Sequence, residues 1–167
     1  MLETSVTKTI PELLNTRHFV GRVEWIGTAP EKGAPQEVQE SVELVGGAGI
    51  RGEHHFRENS TSKRQVTLIQ HEHLPVVAAL MGRDNVDPGE LRRNIVVSGI
   101  NLASLHSQTF SIGGAILKGT GDCVPCSLME ETVGIGGYAA MVGHGGITCV
   151  VVESGIVSVG DSVEPKY

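Results

Sequence analysis

Two of the three cysteines of this chain lie close together, in the segment Gly121-Asp122-Cys123-Val124-Pro125-Cys126. The segment follows a strand-like run and precedes a helix-like one, where helix-end N–H groups would favour a thiolate. A thioredoxin-like redox pair would need a βαβ context, and structural zinc would need two more ligands; the neighbouring sequence does not clearly supply either. One thiolate on a soft metal centre, with the second cysteine nearby, fits the segment best.

The third cysteine, Cys149, stands in a β-branched run and is predicted to be a buried, unreactive core residue. An odd number of cysteines makes no disulfide framework, so we expect a reducing compartment and a cytoplasmic protein. The net charge of -6 argues against a general nucleic-acid or membrane-surface binder. We therefore expect neither nucleic acid nor a membrane as a partner, and a homo-oligomer stays possible.

Basic residues concentrate in one glycine-rich segment, residues 46–64, which has no helical or strand periodicity. Arg51, Arg57, Lys63 and Arg64 lie there, four of the thirteen lysines and arginines of the chain. In an acidic protein this concentration predicts an anion site, with a solvated loop as the alternative for each single residue.

A second basic element, Arg92-Arg93-Asn94, lies where a capped helical turn meets a strand. Guanidinium and amide groups in such a place could be held rigidly toward a phosphate. We expect one of the two arginines to face solvent.

The histidines give a weaker signal. His54-His55 and His71-Glu72-His73 lack the spacing of a helical zinc site, so we predict no metal there. His144 is flanked by glycines, which let a backbone approach a ligand closely. It lines a site or stands in an ordinary turn, and the sequence leaves both open.

The elements that must position these residues are mostly short strands. Alternating or apolar runs predict strands at residues 19–26, 38–45, 65–69 and 94–97, and further strands beginning at Thr109, Ala115, Ile147 and Ile156. A helix is predicted over residues 72–81, with Gly82 as its terminator, and a helical turn begins at Asp87-Pro88.

Two similar segments, residues 109–114 and 155–161, each predict a strand that enters a hairpin turn. Short strands and glycine corners favour a mostly β fold over an alternating α/β sheet. We predict a closed or nearly closed β-barrel of mixed strands with a few short peripheral helices.

Several motifs occur in the order found in MOSC domains, the C-terminal domains of molybdenum cofactor sulfurases. They are Gly49-Ile50-Arg51-Gly52-Glu53-His54, Arg64-Gln65-Val66-Thr67-Leu68-Ile69, Leu91-Arg92-Arg93-Asn94-Ile95, Phe110-Ser111-Ile112-Gly113, Cys123-Val124-Pro125-Cys126 and Val159-Gly160-Asp161. The chain resembles that family from about Gly21 onward. We predict an N-terminal extension over residues 1–17 and a MOSC domain, with that family's β-barrel, over residues 18–167.

This resemblance implies a protein that binds the molybdenum cofactor, a pterin dithiolene with a terminal phosphate. The cysteine that holds the metal in the family matches Cys126, which would be both metal ligand and catalytic residue. The family's Arg-x-Asn-Ile element matches Arg92, Asn94 and Ile95 and would hold the pterin and phosphate end. Further candidate cofactor-binding residues are Arg64, Arg51, Cys123 and His144.

Two function classes remain open. The first is an oxidoreductase that reduces N-hydroxylated or N-oxide compounds at a cysteine-ligated molybdenum centre. The second is a non-catalytic carrier that delivers the cofactor, or its sulfur, to other enzymes. We expect a separate electron-transfer protein as partner in the first case and a recipient molybdoenzyme in the second.

Overall fold

The computed structural model describes residues 7–14 and 19–166. Its strands are β1 (Gly21–Thr28), β2 (Glu37–Val38), β3 (Ser41–Val45), β4 (Gly49–Ile50), β5 (Val66–Gln70), β6 (Ile95–Ser98), β7 (Thr109–Ile112), β8 (Ala115–Asp122), β9 (Ile147–Glu153), β10 (Gly155–Ser158) and β11 (Ser162–Lys166). Its α-helices are α1 (Ile10–Leu14), α2 (Leu74–Leu80), α3 (Leu128–Thr132) and α4 (Gly137–Met141), and 3₁₀ turns span His71–His73, Pro88–Leu91 and Leu102–Leu105.

Seven of these strands form a closed barrel. Their order is β11-β7-β8-β9-β5-β6-β1, and the ring closes where Gly21 and Arg22 of β1 pair with Val163 and Ser162 of β11. Neighbours run antiparallel except β5 and β6, which are parallel and are connected through α2. The prediction of a mostly β, mixed barrel with a few short helices is confirmed.

A smaller sheet, in the order β10-β3-β4, lies beside the barrel, and β2 extends the barrel sheet next to β1. The strand runs predicted around Val38 and Ile156 were expected in the barrel, and this detail is wrong. Val38 itself ends β2, which pairs with β1, but the rest of its run forms β3. The run at Ile156 forms β10, and β3 and β10 pair with each other, with Val157 opposite Val42. The barrel position between β1 and β7 is taken by β11, whose Pro165 and charged residues gave no clear strand pattern.

The two predicted hairpins have different outcomes. Residues 109–114 form the β7–β8 hairpin, with Ile112 opposite Ala115. Residues 155–161 do not form a hairpin, because β10 and β11 on either side of that turn belong to different sheets. The predicted helix over residues 72–81 consists of the 3₁₀ turn His71–His73 followed by α2, and Gly82 ends it with a φ of 65°.

Two apolar clusters stabilise the fold. One fills the barrel, where Leu68, Phe110 and Leu117 are fully buried. The other lies outside it, where Ile69 of β5 packs under α2 and α3. All five residues of β5 are buried because both faces of this strand are covered. Cys149 belongs to the barrel cluster, and burial raises the pKa of its thiol, so its prediction as a core residue is confirmed.

The predicted boundary between residues 17 and 18 lies outside the described residues. No helix in the described part of the chain combines the length and apolar character needed to cross a membrane.

The turn that leads into β9 allows a matched test of packing. Gly146 has a φ of 81°, and a Cβ there would overlap the backbone oxygen of Leu68. Gly143 has a φ of 78°, but a Cβ there would meet no atom within 4 Å. We expect Gly143→Ala to cost about 1 kcal/mol of unfolding free energy, from the left-handed backbone alone. Gly146→Ala should cost at least about 3 kcal/mol in urea unfolding, and equal costs would contradict this packing.

Candidate functional site

One cavity of about 270 Å³ brings together four of the residues that the sequence singled out. Cys126, Arg92, Asn94 and Arg64 all line it, although they come from three separate stretches of the chain. The cavity opens beside a shallow depression of about 900 Å³ along the loop of residues 52–64. Several side chains line both spaces, so a ligand in the cavity could extend along the basic loop.

The loop after β8 positions Cys126. This loop is anchored at its start, where the Cys123 N–H donates to the Gly146 carbonyl at 2.9 Å. At its end the Cys126 carbonyl accepts the Met129 N–H at 3.0 Å, which begins the turn into α3. Cys126 itself is exposed at the cavity, so its thiol is open to a ligand.

Cys123 has different surroundings. It is 2% exposed and lines a second depression, with Val124 and Tyr138, on another side of the same loop. Its side chain is not among those that line the cavity of Cys126. A cofactor contact of Cys123 stays a prediction.

Arg92 follows a rigid turn. Asp87 caps the 3₁₀ turn Pro88–Leu91: its side chain accepts the Gly89 N–H at 2.8 Å, while Glu90 accepts the Asp87 N–H at 3.0 Å. The turn ends at Arg92, which has a left-handed φ of 58°. Such a backbone is strained for a residue other than glycine, and strain of this kind is concentrated at functional sites. The Arg92 guanidinium donates to the Ala34 carbonyl and lines the cavity.

Arg93 is the main residue that the sequence analysis missed. We expected one of the two arginines to face solvent, but Arg93 is 2% exposed and Arg92 is partly buried. The Arg93 guanidinium donates to three backbone carbonyls, those of Gly145 at 2.8 Å, Leu91 at 3.1 Å and Cys123 at 3.1 Å. These three carbonyls surround the guanidinium, and no local sequence pattern predicts this arrangement.

The charge of Arg93 has no carboxylate partner in the described part of the chain. Burial lowers the pKa of its guanidinium, and the neighbouring thiols of Cys123 and Cys126, when ionised, act in the opposite direction. A buried cation beside two thiols favours the ionised, anionic form of those thiols.

Asn94 is committed to the barrel. Its side-chain oxygen accepts hydrogen bonds from the N–H and the hydroxyl of Thr67, at 3.1 and 3.0 Å, and its amide donates to the Gly27 carbonyl at 3.4 Å. The side chain therefore ties β1, β5 and β6 together at the cavity wall. Asn94 therefore has a structural role at the cavity wall, whether or not it also contacts a ligand.

Other groups at the cavity lack protein partners. Lys32 and Arg64 are exposed there, and neither side chain has a hydrogen bond or ion pair within the described ranges. The side-chain oxygen of Gln36 is buried and likewise has no hydrogen-bond partner among those residues. The cavity thus offers free cations for an anion and a free acceptor for an N–H donor.

A carboxylate and two imidazoles also line the cavity. Glu53, His54 and His55 have candidate ligand atoms that all lie within 4.8 Å of one another, so they could in principle hold a metal ion. The helical spacing used to dismiss these histidines does not apply, since they lie in a turn. The absence of a metal there stays a prediction.

Arg51 and His144 lie elsewhere. Arg51 pairs with Glu43 at 2.6 Å and packs over the ring of Phe56, outside the lining of the cavity. His144 donates from Nδ1 to the Ala140 carbonyl and packs edge-on against His73, with ring centroids 5.2 Å apart. The structure does not bring these two residues to Cys126, and their cofactor contacts stay predictions.

Comparison with known proteins identifies a family for this chain. The family model of the MOSC domain matches residues 51–164. In structure, the chain is similar to the YuaD protein from Bacillus subtilis, with a TM-score of 0.76 and 23% identity over 90% of this chain and 98% of that one.

Two further solved structures share the fold. YiiM from Geobacillus stearothermophilus gives a TM-score of 0.70 at 14% identity, covering 88% of this chain and 75% of that one. YiiM from Escherichia coli gives 0.64 at 18% identity, covering 90% and 70%. No curated protein matches the sequence. The family match spans more than half of the chain, and the chain therefore belongs to the MOSC domain family, which is associated with the molybdenum cofactor.

Proposed function

We propose that this chain binds the molybdenum cofactor in the cavity of Cys126 and reduces N-hydroxylated or N-oxide compounds there. One observation carries the proposal: an exposed thiol, unpaired cations and an unpaired buried acceptor line the same cavity. A thiolate is a suitable ligand for a soft metal, and guanidinium groups are suitable for a phosphate.

The residues at the cavity fit the parts of the cofactor. Cys126 would ligate the metal, while Arg92, Arg64 and Lys32 would bind the phosphate. The buried oxygen of Gln36 needs a donor, which the N–H groups of a pterin can supply. Arg93 would balance the negative charge of the sulfur ligands from inside the protein. The bound cofactor would supply two-electron chemistry at the metal, and the protein would bind and orient the substrate beside it.

A carrier function is the second candidate. It is favoured by the exposure of Cys126, because a metal held at an exposed thiol could be passed to another protein. Both candidates need the same cavity and the same ligand, so they differ in what happens after the cofactor binds.

Cofactor analysis tests the shared part of the proposal. Protein purified from a host that makes the cofactor should contain molybdenum and pterin in about equal amounts. A loaded protein that reduces an amidoxime with a chemical electron donor would support the oxidoreductase. Transfer to an apo-molybdoenzyme without such turnover would support the carrier. Protein that contains neither metal nor pterin would exclude both.

The phosphate end gives a specific prediction. Arg92→Ala should weaken cofactor retention about 10- to 100-fold, the cost of one charge-assisted contact to a phosphate. The measurement is pterin released during dialysis of the loaded protein. Arg22→Ala on β1 is a matched control, because Arg22 is exposed and does not line the cavity. Equal release from the two variants would contradict the phosphate role of Arg92.

A further inference from the structure

Glu53 is a buried carboxylate enclosed by hydrogen-bond donors. Its side chain is 3% exposed, and one oxygen accepts the Ala29 N–H at 2.7 Å. The other oxygen lies 2.7 Å from Nδ1 of His54 and 3.2 Å from Nδ1 of His55. The two imidazole rings are tilted by 40° with centroids 3.9 Å apart. One carboxylate therefore contacts both neighbouring rings.

These contacts determine where the imidazoles carry their protons. Nδ1 of His54 also lies 3.0 Å from the Ala29 carbonyl, which can only accept a hydrogen bond. Burial alone would raise the pKa of Glu53, but the hydrogen bonds from His55 and Ala29 and the imidazole charges bring the pKa below its usual value. The carboxylate is thus ionised. It accepts the Nδ1–H of His55, whereas the Nδ1–H of His54 donates to the Ala29 carbonyl and lies beside the carboxylate charge. Each neutral ring carries its proton on Nδ1 and keeps a lone pair on Nε2.

The same contacts make a metal site the weaker interpretation. A metal bound through Nδ1 of His54 would displace the proton that the Ala29 carbonyl accepts. The separation of 2.7 Å between Nδ1 of His54 and the carboxylate oxygen is a direct ion-pair contact. The cluster is already complete without an ion.

The surroundings show which atom could exchange protons. His54 and His55 line the cavity of Cys126, and their Nε2 atoms have no hydrogen-bond partner within residues 7–14 and 19–166. Their side chains are 17% and 53% exposed, so His55 also reaches solvent. The remaining ionisable groups of the cavity are Lys32, Arg64, Arg92, Arg93 and Cys126, and Glu53 is the one carboxylate in its described lining.

We propose that His54 is the proton-transfer residue of this cavity, that Glu53 is its positioning residue, and that His55 exchanges protons with solvent. This inference rests on the proposed oxidoreductase function. It concerns residues that share the cavity with Cys126 and assigns them a role separate from cofactor binding.

The reaction requires such a residue. Reduction of an amidoxime breaks the N–O bond, uses two electrons from an external reductant and consumes two protons. One proton goes to the nitrogen, giving the amidine, and the other goes to the departing hydroxyl, giving water. His54 would first take up a proton from solvent at Nε2 and would donate it from there as the imidazolium. A second proton taken up at Nε2, from solvent through the neighbouring ring of His55, would complete the two that the reaction consumes.

The first arm of the test uses cofactor-free protein. Nitrogen-15 NMR of the imidazoles should show the Nδ1–H tautomer for neutral His54 and His55 in the wild type. In Glu53→Gln, the side-chain oxygen can still accept the Ala29 N–H, but the NH₂ group then faces Nδ1 of His55. Two N–H donors cannot bond each other, so the Nδ1–H tautomer of His55 should lose population. His71 on the 3₁₀ turn is the internal control and should not change. Wild-type rings with the proton on Nε2 would overturn the positioning role.

The second arm uses loaded protein with reduced methyl viologen and an amidoxime. His54→Asn retains a donor at the position of Nδ1 but removes Nε2, so it should preserve folding and cofactor content. We expect kcat to fall about 100-fold or more with KM unchanged, and added imidazole to restore part of the rate. Glu53→Gln should lower kcat about 10- to 100-fold, as expected for a residue that orients another. His71→Asn should match the wild type.

The outcomes separate this inference from the proposed function. A loaded wild type without turnover means that the oxidoreductase proposal has failed, and the proton role fails with it, while the tautomers still report on Glu53. Turnover that His54→Asn leaves intact overturns the proton role alone. Stoichiometric Zn²⁺ binding by cofactor-free protein that disappears in His54→Asn would instead identify a metal site and overturn it as well.

Discussion

Cys126→Ser should reduce the molybdenum content of the purified protein to background. The side chain is exposed at the cavity, and a serine hydroxyl is a much harder ligand than a thiolate, so the soft metal would lose its protein bond. Because the Cys126 side chain is exposed, the unfolding free energy of the protein should change by less than about 0.5 kcal/mol. Metal and pterin analysis, combined with urea unfolding of the same preparation, measures both quantities.

Cys123→Ser is the matched control for that experiment. It removes a thiol three positions away, but one that is buried and lines a different depression. We expect this variant to keep most of its molybdenum and to lose stability, because a more polar hydroxyl replaces a thiol at a buried position. Molybdenum contents equal to that of the wild type in both variants would mean that neither thiol is the ligand, and the cofactor proposal would then fail at its metal end.

Arg93→Ala should produce the largest loss of stability. The change leaves the carbonyls of Gly145, Leu91 and Cys123 without their donor and creates a void at the wall of the cavity. We expect a loss of about 3–5 kcal/mol of unfolding free energy, measured in cofactor-free protein. Arg92→Ala is the matched control and should cost about 1 kcal/mol, since its guanidinium has one carbonyl contact in the described chain.

Arg93→Met distinguishes two causes of that loss. Methionine fills much of the volume but donates no hydrogen bond. A loss close to that of alanine would identify the three carbonyl contacts as the main cause, and near wild-type stability would identify packing. If Arg93→Ala costs no more than Arg92→Ala, the buried guanidinium is not the structural support described above.

The sequence predicted those parts of the fold that depend on local patterns. Alternating strands and glycine turns indicated a mixed barrel, and the Asp87-Pro88 cap is where it was expected. It did not predict β11, because Pro165 and the neighbouring charges hide the alternation of a strand that is held by its partners. The sequence analysis also placed β3 and β10 in the barrel, because a strand pattern does not indicate which strand will pair with it.

For the site as well, the sequence predicted local features but not contacts between distant segments. Motif order singled out Cys126, Arg92 and Asn94, which do line one cavity. The burial of Arg93 depends on carbonyls 52 and 30 residues further along the chain, so no short pattern could reveal it. The cluster of Glu53 and its two histidines was missed because the test applied was helical spacing, whereas a turn folds them over Ala29.

The closure of the barrel between β1 and β11 has a consequence for how the protein is made. The start of the first barrel strand, at Gly21 and Arg22, must wait for Val163 and Ser162 before it gains the neighbour that closes the ring. On the ribosome, the growing chain therefore leaves this end of the β1 edge unpaired until β11 has been made. Pairings between segments so distant in sequence also form slowly. During this interval the edge is open to pairing with other nascent chains, so a chaperone that shields it should raise the yield of folded protein.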